Sequence, residues 1–167
     1  LITKNLSSIF GEVTKDFLFL CFLRGISFVL MQIFYYIAII NMNFATATTL
    51  TFSSPIFIVV LSMIVLREKV GLFRWSAIFI GFVGVLVIMN PTSEVFSFFS
   101  ILPLLAALFW AISNIVLKFI PDNISSVKIN FYSINFSYIA SIFILLFSSE
   151  YIPVQSNLHW FLMILIG

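Results

Sequence analysis

Residues 25–66 read GISFVLMQIFYYIAIINMNFATATTLTFSSPIFIVVLSMIVL and contain no Asp, Glu, Lys or Arg. The stretch is about twice the length of roughly 20 residues that one helix needs to cross a bilayer. Asn41 and Asn43 lie near its middle, and closely spaced asparagines favour a turn. The stretch therefore predicts two membrane-spanning helices, residues 17–40 and 44–66, joined by a tight loop.

The composition of the whole chain agrees with a membrane protein. Of its 167 residues, 62% are hydrophobic and 8% are charged. Soluble domains are about 45–50% apolar and about 25% charged. The composition excludes a soluble enzyme, a disordered chain, a coiled coil and a disulfide scaffold. We predict the fold class all-α, as a polytopic helical membrane protein.

The remaining charges divide the rest of the chain into further spans. Three uncharged stretches, residues 75–93, 95–117 and 129–149, have the length of one helix each, and we predict spans at residues 73–90, 98–119 and 129–148. A sixth apolar run starts near Leu158 and reaches residue 167, which is too short to cross a bilayer. We predict five complete transmembrane helices plus a truncated sixth, and we expect the chain to be part of a longer protein.

The basic residues predict the orientation. With five alternating spans, one side of the membrane carries all eight basic residues: Lys4, Lys15, Arg24, Arg67, Lys69, Arg74, Lys118 and Lys128. The other side carries Glu94, Glu150 and His159. Loops rich in Lys and Arg stay in the cytoplasm. We therefore predict a multi-pass protein of the cell inner membrane with its basic loops in the cytoplasm.

Hydroxyl side chains fill the first half of the second span. Thr48, Thr51 and Ser54 precede Pro55, and the following residues are almost wholly apolar. Pro55 lacks a backbone N–H and is expected to kink the helix. Two interpretations remain open for the hydroxyls: they line a polar cavity, or they bond back to carbonyls of their own helix.

Polar residues also recur at helical spacing on the other spans. The first span carries Gln32 and Tyr36, the fourth carries Trp110 and Asn114, and the fifth carries Asn130, Ser133, Ser137 and Ser141. Polar groups in hydrocarbon either join helices or contact a polar ligand, and both alternatives stay open. The residues predicted to line one substrate-binding cavity are Gln32, Tyr36, Thr48, Thr51, Ser54, Trp110 and Asn114.

A second group of residues is predicted to have structural or gating roles. Arg24 lies inside an apolar run, where a charge is a functional candidate unless its side chain reaches back to the interface. We expect it to pair with Glu68. Gly81 and Gly84 are expected to allow close helix contact. With Pro55, these residues complete the structural or gating set.

Signatures of catalysis are missing from the sequence. It has one His and one Cys, far apart, and no carboxylate within a predicted span. We therefore predict no enzyme activity, no catalytic residue, no metal site and no cofactor. The scattered basic residues form no nucleic-acid footprint. The expected partners are the lipid bilayer and a small-molecule metabolite, and a homodimer is left open.

Several short motifs occur in a fixed order along residues 24–91. They are Leu23-Arg24-Gly25, Ser54-Pro55, Leu66-Arg67-Glu68-Lys69, Arg74-Trp75, Gly81-Phe82-Val83-Gly84-Val85 and Asn90-Pro91. In order and spacing this set resembles the EamA family of the drug/metabolite transporter superfamily. Within that family the Leu-Arg-Gly and Arg-Trp stretches are most similar to bacterial S-adenosylmethionine uptake carriers.

The resemblance implies an architecture of ten helices in two five-helix repeats of inverted orientation. Residues 1–91 would then be the C-terminal part of the first repeat, namely the end of a cytoplasmic loop plus three helices. Residues 98–167 would be the N-terminal part of the second repeat. The implied function is a transporter, or a fragment of one, that moves a small metabolite such as S-adenosylmethionine across the bacterial inner membrane. The alternative is a non-transporting membrane subunit or truncated gene product that packs with partner helices.

Overall fold

The computed structural model describes residues 14–89 and 98–147. The secondary structure in these two ranges is helical, with no strand. A short 3-10 turn, Phe98–Ser100, leads directly into the fifth helix. The described α-helices are α1 (Lys15–Asn41), α2 (Phe44–Thr51), α3 (Ser54–Val65), α4 (Leu72–Met89), α5 (Ile101–Leu117) and α6 (Ser126–Phe147). The predicted all-α fold class is confirmed.

Three stretches of helix are long and apolar enough to cross a bilayer, namely Lys15–Asn41, Phe44–Val65 and Phe98–Leu117. The apolar part of α4, Leu72–Gly84, is shorter. The protein is therefore a multi-pass membrane protein. The count of five complete spans stays a prediction, and the sixth apolar run lies outside the described residues.

The predicted loop at the asparagines is confirmed. α1 ends at Asn41, and α2 begins at Phe44. The side-chain oxygen of Asn43 accepts a hydrogen bond from the N–H of Ala45 at 2.9 Å and so caps α2. An asparagine is favoured at this position because its short side chain satisfies a backbone donor that has no partner within the helix.

The second span is interrupted just before Pro55, where the sequence predicts a kink. α2 ends at Thr51, and α3 begins at Ser54 with Pro55 in its first turn. Proline is tolerated there because the first-turn N–H groups need no helical acceptor. The hydroxyl of Ser53 donates to the carbonyl of Leu50 at 2.7 Å and helps to close the break.

The helices pack around α1 and α5. α5 lies against α1, α2 and α3, and α6 lies against α1. Ala106, Ala107 and Ala111 of α5 are fully buried. In a membrane, helices associate through close packing rather than through a hydrophobic drive, so small residues lie at their contacts. Ala107 and Ala111, four residues apart, therefore lie at a helix contact.

Gly81 and Gly84 of α4 behave differently. A Cβ atom added to either one would meet no atom within 4 Å among the described residues. α4 contacts α2, but these two glycines do not take part in close packing within the described part of the chain. Their role in helix contact therefore stays a prediction.

α1 and α6 approach each other closely at Gly25. A Cβ atom at residue 25 would lie 2.9 Å from the backbone oxygen of Ser133 and 3.0 Å from the Cβ of Phe136. The hydroxyl of Ser137 donates to the carbonyl of Gly25 at 3.0 Å. The two helices run parallel, because Phe17 contacts Tyr132 near their beginnings and Gly25 contacts Ser137 further along both.

We expect Gly25→Ala to destabilise the protein by about 1–3 kcal/mol, because the new methyl group meets backbone rather than a movable side chain. The matched control is Gly81→Ala, which fills open space and removes the entropic cost of a helical glycine. Thermal unfolding in detergent should show a lower midpoint for Gly25→Ala and an equal or higher midpoint for Gly81→Ala. Equal losses in the two variants would contradict the assigned contact.

Candidate functional site

A cavity of about 360 Å³ lies among α1, α2, α3 and α5. This volume falls within the range of small-molecule sites, about 300–1,000 Å³. Five of the seven predicted substrate-binding residues line it. The lining residues are Met31, Gln32, Tyr35, Thr48, Thr51, Phe52, Ser54 and Trp110. The structure thus brings together residues from the first, second and fourth predicted spans.

Both interpretations of the threonine hydroxyls apply at once. Thr48 donates to the carbonyl of Phe44 at 2.7 Å, and Thr51 donates to that of Ala47 at 2.9 Å. Each hydroxyl oxygen keeps lone pairs that can accept a further hydrogen bond. Thr48 also lies 3.2 Å from the hydroxyl of Tyr35. The threonines therefore cost little in the membrane and still present acceptors to the cavity.

Trp110 supplies an aromatic wall of this cavity. Its ring contacts the ring of Phe28 on α1, with 5.8 Å between centroids and an interplanar angle of 49°. The contact fixes the indole against a neighbouring helix rather than leaving it free to rotate. A flat or cationic group of a ligand can stack on such a ring.

A second, larger cavity of about 550 Å³ lies between α1 and α6. Tyr36 lines this cavity, whereas Gln32 lines both cavities. Ser137 and Ser141 of the polar face of α6 also line it. Among the described residues, Tyr36 therefore lines a different cavity from Thr48, Thr51, Ser54 and Trp110, and the single central cavity stays a prediction.

Asn114 is not among the residues that line either cavity. Its side-chain amide donates to the carbonyl of Trp110 at 2.8 Å, one turn earlier in α5. This local bond satisfies a donor that would otherwise be costly in hydrocarbon. Helical spacing placed Asn114 on the face of Trp110, but spacing cannot show whether an amide points away from its own helix.

The predicted pair of Arg24 and Glu68 is wrong. Glu68 accepts from Lys118 at 3.4 Å and lies 3.9 Å from Arg74. Glu68 follows α3, and the helix packed on α3 is α5, which ends beside Lys118. Arg24 lies on α1 and faces α6 instead.

The backbone changes direction at Arg67, just after the end of α3. It has φ of 54°, in the left-handed region that side chains other than glycine rarely adopt. The following N–H, of Glu68, bonds back to the carbonyl of Ser62 at 3.3 Å. An arginine gives no sign in the sequence that its backbone is left-handed. The position of the next residue, Glu68, and the cations that it contacts could therefore not be predicted.

Arg24 belongs to a third cavity, of about 300 Å³, between α1 and α6. Asn130, Ser133 and Ser137 line it from α6. These serines share the polar face that the sequence predicted, although they were not among the predicted binding residues. Gly25, which lets α6 approach, was not singled out for packing, because only the neighbouring backbone shows that a side chain is excluded there.

A family model described as "EamA-like transporter family" matches residues 2–90, more than half of the chain. No solved structure gives a significant match.

Two groups of curated relatives are similar to the chain. A riboflavin transporter of Vibrio cholerae is 42% identical over 69 residues, which are 41% of this chain and 23% of the relative. An S-adenosylmethionine uptake transporter of Rickettsia conorii is 30% identical over 122 residues, which are 73% of this chain and 40% of the relative. A further relative with that name, from Rickettsia bellii, is 33% identical over 88 residues, covering 53% of this chain and 30% of the relative.

The chain thus spans about a quarter to two fifths of the length of the curated relatives it matches. The helical membrane architecture and the polar cavities are consistent with the family match over residues 2–90. The chain belongs to the EamA-like transporter family.

Proposed function

We propose that the protein carries a small metabolite across the bacterial inner membrane. The observation that supports this function best is the cavity of about 360 Å³ lined by Gln32, Thr51 and Trp110, in a chain of a transporter family. A carrier needs polar groups and an aromatic surface at membrane depth to replace the hydration of its substrate. These residues supply an amide, a hydroxyl acceptor and a ring.

The substrate class that suits this cavity is a flat heteroaromatic metabolite. Relatives are named for riboflavin and for S-adenosylmethionine, and both compounds contain a fused heteroaromatic ring with polar edges. Trp110 can stack on such a ring, while Gln32 and Thr51 can bond to its edge. We propose S-adenosylmethionine as the first compound to test, because the match to a transporter of that name extends over 73% of the chain.

The proposed domain organisation places this cavity between two repeats. We propose that residues 1–91 belong to the first repeat and residues 98–167 to the second; the end of the family match at residue 90 supports this boundary. Thr51 would then come from the first repeat and Trp110 from the second. Sites at the interface of inverted repeats are typical of secondary transporters.

The ion cluster of Glu68, Lys118 and Arg74 is proposed to join the cytoplasmic ends of the two repeats. Glu68 lies in the loop between α3 and α4, Arg74 lies in the first turn of α4, and Lys118 follows α5. The three side chains are partly exposed, so the cluster is easily broken when helices move. This property suits a contact that must open and close during transport.

Gln32→Leu is expected to lower uptake by the full-length protein about tenfold, because it removes the one amide that lines both cavities while suiting the bilayer. Uptake of labelled S-adenosylmethionine and riboflavin into cells measures the effect. The matched control is Asn135→Leu on α6, whose exposed amide bonds to its own helix at Phe131 and lines none of the three cavities described above. Normal uptake by Gln32→Leu would reject this amide as a substrate contact, whereas no uptake by the unchanged protein would favour a non-transporting subunit.

The orientation can be tested with single cysteines in a Cys21→Ser background. We expect Ser126→Cys, at the start of α6, to be protected from an impermeant maleimide in intact cells with a permeable outer membrane. Asn41→Cys, at the last residue of α1, should be labelled. Both positions are exposed, so access depends on the side of the membrane. The opposite labelling pattern would reverse the proposed orientation.

A double-mutant cycle tests the ion cluster. Glu68→Gln and Lys118→Gln should show a coupling of about 0.2–1 kcal/mol in the free energy of unfolding, which falls as salt rises, because the pair is exposed. The cycle between Glu68→Gln and Arg24→Gln should show none. A larger coupling to Arg24 than to Lys118 would refute the observed pairing.

A further inference from the structure

The cavity of about 300 Å³ between α1 and α6 has a positive charge that the residues lining it do not balance. Its lining contains the guanidinium of Arg24 and the polar side chains of Asn130, Ser133 and Ser137, and no carboxylate. The Nε atom of Arg24 is buried and has no hydrogen-bond partner among the described residues. A buried N–H donor without a partner is costly.

Ser133 adds a second unsatisfied group. The residue is 3% exposed, and its hydroxyl oxygen has no hydrogen-bond partner in the described part of the chain. The thiol of Cys21, a weak hydrogen-bonding group, is its neighbour. Ser137, in contrast, donates to the carbonyls of Gly25 and of Ser133. Arg24 and Ser133 thus retain donors for a ligand, while Ser137 holds the helices together.

A second basic residue lies on the same pair of helices. Lys128, in the first turn of α6, is 7% exposed, and its ammonium nitrogen lies 5.5 Å from the centre of the Phe17 ring on α1. Glu68 is engaged with Lys118 and Arg74 at the end of other helices. Lys128 has interactions of its own, so the charge that lines the cavity is that of Arg24, and a positive charge there favours an anion.

We propose that this cavity is a subsite for an anionic group, a carboxylate or a phosphate, which accepts hydrogen bonds from Arg24, Ser133 and Asn130. The proposal deepens the proposed carrier function and rests on it for a metabolite as the source of the anion. The subsite adjoins the cavity of about 550 Å³, since Phe28, Ile134 and Ser137 line both. A ligand can therefore place its charged end at Arg24 and its body toward Gln32 and Tyr138.

The test compares compounds that differ by one anionic group. Full-length protein is reconstituted in phosphatidylcholine nanodiscs, and binding is measured for riboflavin 5′-phosphate against riboflavin and for S-adenosylmethionine against its decarboxylated analogue. The protein should bind the anionic member of at least one pair about tenfold more tightly, as expected for charge-assisted hydrogen bonds.

Arg24→Gln should remove this preference for the anionic compound, while Arg24→Lys retains part of it. The matched control, Lys69→Gln, changes the net charge equally at an exposed loop position and should keep the preference.

Ser133→Ala keeps the test decisive where Arg24→Gln does not fold. It removes one donor and should lower the preference for the anionic compound about threefold, with little change in the affinity for the neutral compound.

A second set of nanodiscs contains phosphatidylglycerol. A rise in thermal stability with this lipid that is lost in Arg24→Gln would support the anion subsite and identify a lipid headgroup as its source.

The outcomes separate the subsite from the carrier function. Where neutral and anionic compounds bind and enter cells equally well, and Arg24→Gln and Ser133→Ala change neither, the carrier function stands and the subsite is rejected. Where none of the four compounds binds or enters cells but phosphatidylglycerol stabilises the protein through Arg24, the subsite stands and these substrates are rejected. Where neither nanodisc series depends on Arg24 or Ser133, the subsite is refuted.

Discussion

A polar side chain inside a bilayer must find a partner within the protein, and this constraint decides the internal arrangement of the helices. The described residues differ in how far they meet it. Thr48 and Thr51 bond back to their own helix, and Ser137 bonds to the neighbouring α1. Arg24 and Ser133 keep donors that no regular partner satisfies, and they lie at a cavity. The distribution of satisfied and unsatisfied groups therefore separates helix contacts from places where a ligand can bind.

The contact at Gly25 determines where the unsatisfied groups lie. Because residue 25 has no side chain, the backbone of α6 comes close enough for Ser137 to reach a carbonyl of α1. That bond sets the register between two parallel helices, and the register brings Ser133 to the cavity of Arg24. Further along the same helices it brings Ser141 to the cavity of Gln32. A shift of α6 by one turn would separate both pairs.

The sequence predicted the elements of the fold better than their contacts. Charged residues located the helices because a charge inside hydrocarbon is costly, and Asn41 and Asn43 located the loop between α1 and α2. Helical spacing predicted the polar face of α6 and five residues of the cavity at Trp110. Spacing defines which residues share a face, but it does not define what that face meets. For this reason the pair of Arg24 and Glu68 was wrong, and the local bond of Asn114 was not expected.

The electrostatics of the cavities bear on which compound suits the protein. Phe28 contacts the Trp110 ring and also lines the cavity of Arg24, so an aromatic surface and a cation lie on two sides of one side chain. A neutral, flat compound can use only the aromatic surface. Under the proposed function, a compound with a cationic centre and a carboxylate gains from both, because a ring face attracts the cation and the guanidinium attracts the anion. Specificity is a difference of affinities, so the proposed subsite at Arg24 would favour a compound with a carboxylate over one that carries positive charge alone.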